Sequence, residues 1–237
     1  MRLTDDQRSA MDDVGYVVLP EAIDVDTAER LRAMLAEIAE PRIANGDPTG
    51  RVLFLQKLAE RDSRVQALAQ SPGFTELATS LLGPDVDLYF NQAVIKYPGG
   101  TTAFSWHQDD AYSPVEPSPY LTVWIALDDA TEANGCISVL PRSHHRGLVP
   151  HVESDFGLAG HRLDDPDQGV LVPVAARTAI VFWSTTLHKS GPNTSDAVRR
   201  ALVLQFAPAG LKHKASGMPI RSRIPVARGG VAVAGPR

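Results

Sequence analysis

The chain has 237 residues, of which 43% are hydrophobic, enough apolar material for one sizeable core. A net charge of −5 gives no basic patch for nucleic acid, and no apolar run is long enough to span a bilayer. The acidic, polar N-terminus MRLTDDQRSAMDD does not resemble an export signal, so a cytoplasmic protein with a small-molecule partner is expected, with neither nucleic acid nor membrane as partner.

In chain order, the first eighty or so residues read mainly as helix. Thr4 and Gln7 have capping-box spacing, and a short strand, YVVLP, follows. The next helix starts near Asp24, with Ala28, Leu31, Leu35 and Ile38 on one stripe, and is expected to stop at Pro41. PRIANGDPTG reads as a loop, and short helices are expected around 62–69 and 72–82. From Asp85 the pattern changes to strands: DVDLYFNQAVIKY, YLTVWIALDDA, GCISVLP, GVLVPV, TAIVFW and RRALVLQFAP. Asn134 and Gly135 in TEANG predict a turn joining two strands into a hairpin. Residues 141–169 form a long polar segment with His144, His145, His151 and His161, of a length that often covers or shapes a site. From Pro208 onward there are six cations and no acid, and this stretch reads as a basic, partly disordered tail (208–237). Strands backed by helices over 1–207 predict one mostly-β domain, a sandwich or barrel with the helical part (about 1–84) packed on one side. The single Cys136 sits in an apolar stretch and reads as a buried structural thiol.

Within SWHQDDAY, His107 and Asp109 stand two apart, the spacing that puts both on one face of a strand, with Gln108 facing away and Asp110 excluded by parity. Such a pair is weak evidence, because seven histidines and nineteen aspartates give about 0.5 His-x-Asp pairs by accident. His188, just beyond the strand TAIVFW, adds a third candidate, and two histidines with one carboxylate suit a non-heme Fe(II) site with open positions. An arginine close by would hold a carboxylate in a bidentate grip. His151 and Glu153 form a rival pair without a third ligand, and His144 and His145 read as hydrogen-bonding or solvated residues.

Three stretches, WHQD at 106–109, LTVWIALDDATEANGCISVLPRSH at 121–144 and HKSGPNTSDAVRRAL at 188–202, resemble the phytanoyl-CoA dioxygenase family of Fe(II)- and 2-oxoglutarate-dependent oxygenases over roughly residues 10–207. The resemblance implies a double-stranded β-helix (jelly-roll, cupin-like) core. It also implies iron bound by His107, Asp109 and His188, and Arg199, eleven residues beyond His188, on the far carboxylate of 2-oxoglutarate. Strand parity agrees, since Arg200 shares its face with Leu202, Leu204 and Phe206 and Arg199 does not. Ser190, Trp124 and Gln92 are implied cosubstrate contacts, and Arg51, Phe54, Trp106, Tyr112, Tyr120 and Arg142 are candidates near the substrate. Arg142 is a departure: the family commonly has Pro-Gly-Ser-His where this chain has Pro141, Arg142, Ser143, His144. Either the backbone differs there or Arg142 reaches a substrate acid. Asp109 occupies the position that halogenating relatives leave without a carboxylate, so the resemblance implies hydroxylation of a small metabolite, with O2 consumed and succinate and CO2 released, or a related desaturation, cyclisation or epimerisation. A cupin-like metalloenzyme without 2-oxoglutarate and a non-catalytic ligand-binding β-barrel are the competing readings.

Overall fold

Thr4 and Gln7 close the capping box that their spacing predicts: the Gln7 N–H donates to Thr4 Oγ, and the Thr4 N–H donates to the Gln7 side-chain carbonyl. This opens α1 (Asp5–Asp13) in the computed structural model, which describes residues 1–46, 51–160 and 169–233. β1 (Tyr16–Leu19) leads to α2 (Val25–Ala44), whose first turn is capped by Asp24 accepting from the Thr27 N–H. Pro41 does not end α2 as expected. It removes one backbone donor near an exposed helix end, where the loss is too small to stop the helix, which continues to Ala44. The mainly helical start also contains a strand that periodicity alone did not reveal, β2 (Val52–Gln56), before α3 (Ser63–Ala69) and α4 (Pro72–Leu82).

The β core comprises β3 (Val86–Lys96), β4 (Phe104–His107), β5 (Val115–Glu116), β6 (Leu121–Ala126), β7 (Ile137–Val139), β8 (His151–Glu153), β9 (Leu158–Gly160), β10 (Val170–Val172), β11 (Ala179–Trp183), β12 (His188–Ser190) and β13 (Arg199–Pro208). β14 (Lys212–His213), β15 (Ile224–Arg228) and β16 (Val231–Ala232) follow. The larger sheet runs β1-β11-β6-β13-β3-β15-β16, with β2 also on β3, and the smaller runs β10-β7-β12-β4. The two sheets and their helical backing form the expected jelly roll.

Both faces of the larger sheet are buried, which is why LTVWIA reads as an unbroken apolar run. Leu121, Val123, Ile125, Leu202, Leu204 and Phe206 pack with helix residues such as Leu31, Leu35, Phe74 and Leu77. The alternate residues Trp124, Ala126, Ala201 and Val203 pack inward with Ile137, Val139 and Val172 of the smaller sheet. The Asn134-Gly135 turn does not make a simple hairpin. It carries the chain from β6 in one sheet to β7 in the other, with Asn134 Oδ1 accepting from the Thr131 N–H and Gly135 at φ +78°. The expected loose tail is also corrected: β15 pairs with β3, and Val226 and Ala227 are fully buried, so β15 and β16 extend the main sheet. Two of the charges there are held too, since Arg228 donates to Asp87 and Arg223 lies 3.5 Å from the same carboxylate.

Candidate metal centre and active site

β4 and β12 are antiparallel neighbours, and their register places His107 directly opposite His188. The two imidazole centroids lie 4.2 Å apart. Each ring is oriented through Nδ1, which sits 2.7 Å from the Ser105 carbonyl in His107 and 3.0 Å from the Thr186 carbonyl in His188. With Nδ1–H donated to a carbonyl, each Nε2 keeps its lone pair for a metal. Burial, and then the neighbouring His188, push His107 down to about 3, so it is a neutral imidazole at physiological pH.

Asp109 reaches the same point by a different route from the one its spacing suggested. β4 ends at His107, and Asp109 opens a short 3₁₀ turn, Asp109–Ala111. Its Oδ2 accepts a 2.6 Å hydrogen bond from Thr122 Oγ, while Oδ1 lies 3.7 Å from His188 Nε2. His107, Asp109 and His188 offer ligand atoms that all lie within 4.8 Å of one another, and theirs is the one such group among the described residues. Two neutral nitrogens and an oriented carboxylate on one side of an open cavity fit an Fe(II)-type centre. Gln108 faces away as expected, its amide accepting from the Val149 N–H and donating to the Gly147 carbonyl. Asp110 accepts from the Val115 N–H and Ser118 Oγ, fastening the loop after the turn.

The triad lines a cavity of about 470 Å³ between the sheets. At its inner end lies Arg199, 1% exposed, one Nη donating to the Gly135 carbonyl and Nε without a partner. The guanidinium carbon sits 5.4 Å from the Trp124 ring centroid. Burial lowers Arg199 only to about 10, so it stays charged. Arg200, on the opposite face, is paired with Asp128. Ser190 Oγ accepts a 2.9 Å hydrogen bond from Lys96 Nζ, which also donates to the Gly191 carbonyl. Lys96 is 1% exposed, and burial followed by the charge of Arg199 lowers it to about 6. Two basic groups, one of them charged, thus share a buried region with no carboxylate hydrogen-bonded to either among the described residues.

Gln92, Phe54, Tyr112 and Tyr120 also line the cavity, but three candidate substrate residues do not. Trp106 packs with Leu140 and Leu187, behind the metal ligands rather than in front of them. Arg51 is exposed and donates to the Pro98 carbonyl. Arg142 keeps the left-handed backbone (φ +66°) that glycine would favour there, and its side chain pairs with Asp13 at 2.6 Å, so it reaches no substrate acid. His144 and His145 each lie 3.1 Å from a carbonyl at the end of α1, as expected of hydrogen-bonding residues. His151 Nε2 accepts from the Gln108 N–H, which removes the rival pair with the exposed Glu153. His161 lies outside the described residues, and His213 is exposed on β14. Cys136 is buried, and burial raises its thiol, as suits a structural role.

Sequence reasoning missed Lys96, Thr122, Phe104 and Phe156. Lys96 was within reach of it, because Gln92, Val94 and Lys96 alternate on one face of β3. Phe156 carried no signal beyond its place in the long segment after Pro141.

Residues 11–201 match the model of the family described as Phytanoyl-CoA dioxygenase (PhyH). The chain belongs to this family. Among its relatives, a methylphosphonate hydroxylase of Gimesia maris is 30% identical over 86% of this chain and 80% of its own length. An L-proline trans-4-hydroxylase of Streptomyces griseoviridis is 27% identical over 80% and 81%. A probable alpha-ketoglutarate-dependent hypophosphite dioxygenase of Stutzerimonas stutzeri is 31% identical over 61% of this chain and 53% of its own length. Among solved structures, EvdO2 from Micromonospora carbonacea complexed with 2-oxoglutarate superposes with a TM-score of 0.75, 25% identity and coverage of 92% and 96%. Membership makes this phytanoyl-CoA dioxygenase-family chain an Fe(II)- and 2-oxoglutarate-dependent oxygenase. No helix among the described residues is long and apolar enough to cross a membrane.

Proposed function

We propose that the chain hydroxylates a small molecule in the cytoplasm, converting 2-oxoglutarate to succinate and CO2. The observation that carries this reading is the buried Arg199, with its unpartnered Nε, at the inner end of the cavity whose lining includes His107, Asp109 and His188. The three ligands would hold Fe(II), which when bound supplies the activation of O2 and the oxidation of a C–H bond. The chain's own residues do the rest. Thr122 holds Asp109 in its ligating orientation, and the carbonyls of Ser105 and Thr186 fix the histidine tautomers.

Arg199 meets the distal carboxylate of the cosubstrate, with Trp124 flanking the guanidinium and Ser190 beside it; Gln92 lines the same cavity. Lys96, not itself a lining residue but hydrogen-bonded to the lining Ser190, supplies a second basic group: a carboxylate close by would return its amine to the charged form that burial disfavours. Among the described residues that contact them, neither a cupin-like enzyme without a keto-acid nor a non-catalytic barrel gives these two groups a counter-ion.

The test is anaerobic addition of Fe(II) and 2-oxoglutarate. A weak visible charge-transfer band is expected; its absence from protein shown to hold iron would sink the reading. The Gimesia maris relative is named for methylphosphonate and the Streptomyces relative for L-proline, so relatives differ in the charge of their small-molecule substrates, and the class taken here has to be read from the cavity itself.

A further inference from the structure

Beside the ligands, the cavity has a wall of rings. Phe104 lies 6.3 Å from His107, centroid to centroid. It meets Phe54 edge-on at 5.7 Å and Phe156 edge-on at 5.1 Å, while Phe54 and Phe156 stack at 5.9 Å. Phe156 stands in the turn between β8 and β9, and that turn is tied across the mouth by the Leu158 N–H donating to the Tyr112 hydroxyl. Tyr112 also meets His107, edge-on at 5.7 Å.

The polar side chains that line the cavity beside these rings are neutral; the Lys96 amine lies 4.7 Å from the Phe104 centroid, but it donates to Ser190 Oγ and the Gly191 carbonyl and is not itself a lining residue. Gln56 and Gln92 are cross-strand partners on β2 and β3, and Gln205 and Ser113 also line the cavity. Amides and a hydroxyl both donate and accept, which suits hydroxyl or keto oxygens but does not neutralise an anion. The cationic side chains among the described lining residues are Arg199, at the cosubstrate end, and Lys189, whose Nζ sits 4.8 Å over the Trp106 ring outside the cavity. A dianion among these rings would face neutral amides, with Lys96 held by Ser190 and Gly191 and Arg199 committed to the cosubstrate, and so would lack a paired cation.

We propose that the part of the cavity walled by Phe54, Phe104 and Phe156 takes a neutral, ring-bearing molecule with hydroxyl or keto groups, and not a phosphonate or other small dianion. The proposal rests on the oxygenase reading above. Stacking supplies the affinity and the glutamine amides set the orientation that presents one C–H to the metal.

The test uses full-length protein loaded with Zn(II) and 2-oxoglutarate, so that binding is read without turnover. Calorimetric titration compares 2-naphthol, 1-naphthylphosphonate and methylphosphonate. The neutral naphthol should bind, the naphthylphosphonate at least about tenfold more weakly, the factor that ~1.4 kcal/mol carries, and methylphosphonate without measurable heat. Phe156→Ala should weaken naphthol about tenfold, and Phe156→Leu, apolar but without a ring, should lose most of the same factor. Naphthol that does not bind, a phosphonate that binds as tightly or more tightly, or variants that bind naphthol as wild type does would each overturn the proposal. The Fe(II) and 2-oxoglutarate band, recorded on an aliquot of the same preparation, separates the two failures. No band defeats the oxygenase reading, whereas a band with a phosphonate preference defeats only the substrate class.

Discussion

Replacing Lys96 with methionine should make the cosubstrate-free protein more stable while making it a worse binder of 2-oxoglutarate. Burial and Arg199 hold Lys96 at about 6, against 10.5 for an unhindered lysine. Between these values the unfolded chain carries a proton that the folded chain lacks, so wild-type stability climbs with pH across the window. At pH 7.5 the penalty for the neutral amine is about 4 kcal/mol, three units at ~1.36 kcal/mol each. Methionine removes that penalty but leaves the Gly191 carbonyl without its donor, a loss of about 2 kcal/mol, while the Ser190 hydroxyl can rotate to another acceptor. The net expectation at pH 7.5 is a gain of about 2 kcal/mol, or roughly 4–8 °C in melting temperature for a chain of this size. Urea denaturation of the metal-free protein at pH 6.5, 7.5 and 8.5 supplies the sharper reading. The advantage of the variant should shrink by about 1.4 kcal/mol for each unit of rising pH. In the Fe(II) form, the variant should bind 2-oxoglutarate about 10- to 100-fold more weakly, the range of one charge-assisted hydrogen bond. A variant less stable than wild type at every pH, with a parallel slope, would refute the reasoning.

Arg199→Ala should lower 2-oxoglutarate affinity by about 100-fold or more while iron binding stays near wild type, since Arg199 lines the cavity with Nε unpartnered and is not one of the three ligand groups; equal loss of both in equilibrium dialysis would make Arg199 structural. Thr122→Val removes the 2.6 Å bond to Asp109 and should weaken iron binding by about 10- to 100-fold without unfolding the chain, checked by metal competition beside circular dichroism. Gly135→Ala places a Cβ 2.2 Å from the Gly191 carbonyl oxygen at φ +78°, and should cost about 3 kcal/mol or more in urea denaturation. Arg142→Gly relieves a left-handed arginine at the cost of an exposed ion pair with Asp13, and should stabilise by up to about 1 kcal/mol with activity unchanged.

The parts of this protein legible from sequence are those fixed by period. Alternation along RRALVLQF separated Arg199 from Arg200 correctly, because β13 is flanked on both sides by sheet neighbours and its two faces meet different cores. The capping box at Thr4 is a local signal and held locally. Errors arose where a local signal met tertiary structure. The Asn-Gly pair does make a turn, but which strands it serves is decided by sheet membership, which two residues cannot encode. The basic stretch after Pro208 lacks long apolar runs, yet Ile224, Val226 and Ala227 find a place beside β3 that only the folded sheet provides. Asp109 was assigned to the right site by an incorrect route, since the strand had already ended and a 3₁₀ turn brings the carboxylate in.

Lys96 and Arg142 both break a local rule, and they do so for different reasons. Arg142 occupies a glycine conformation at the surface, where the strain is small and Asp13 offsets part of it; nothing near the cavity depends on its charge. Lys96 is a buried amine on the same face of β3 as Gln92 and Val94, beside the buried cation Arg199, and no acid among the described residues is hydrogen-bonded to it. Burial holds Lys96 neutral beside the charged Arg199 at a cost to the empty protein, and an anion that enters between the sheets offsets this cost by returning the amine to its charged form. The region that is least stable by itself is therefore the region the cosubstrate completes, so 2-oxoglutarate should raise the melting temperature of the wild type more than that of Lys96→Met. Equal shifts in the two proteins would mean that Lys96 does not sense the carboxylate at all.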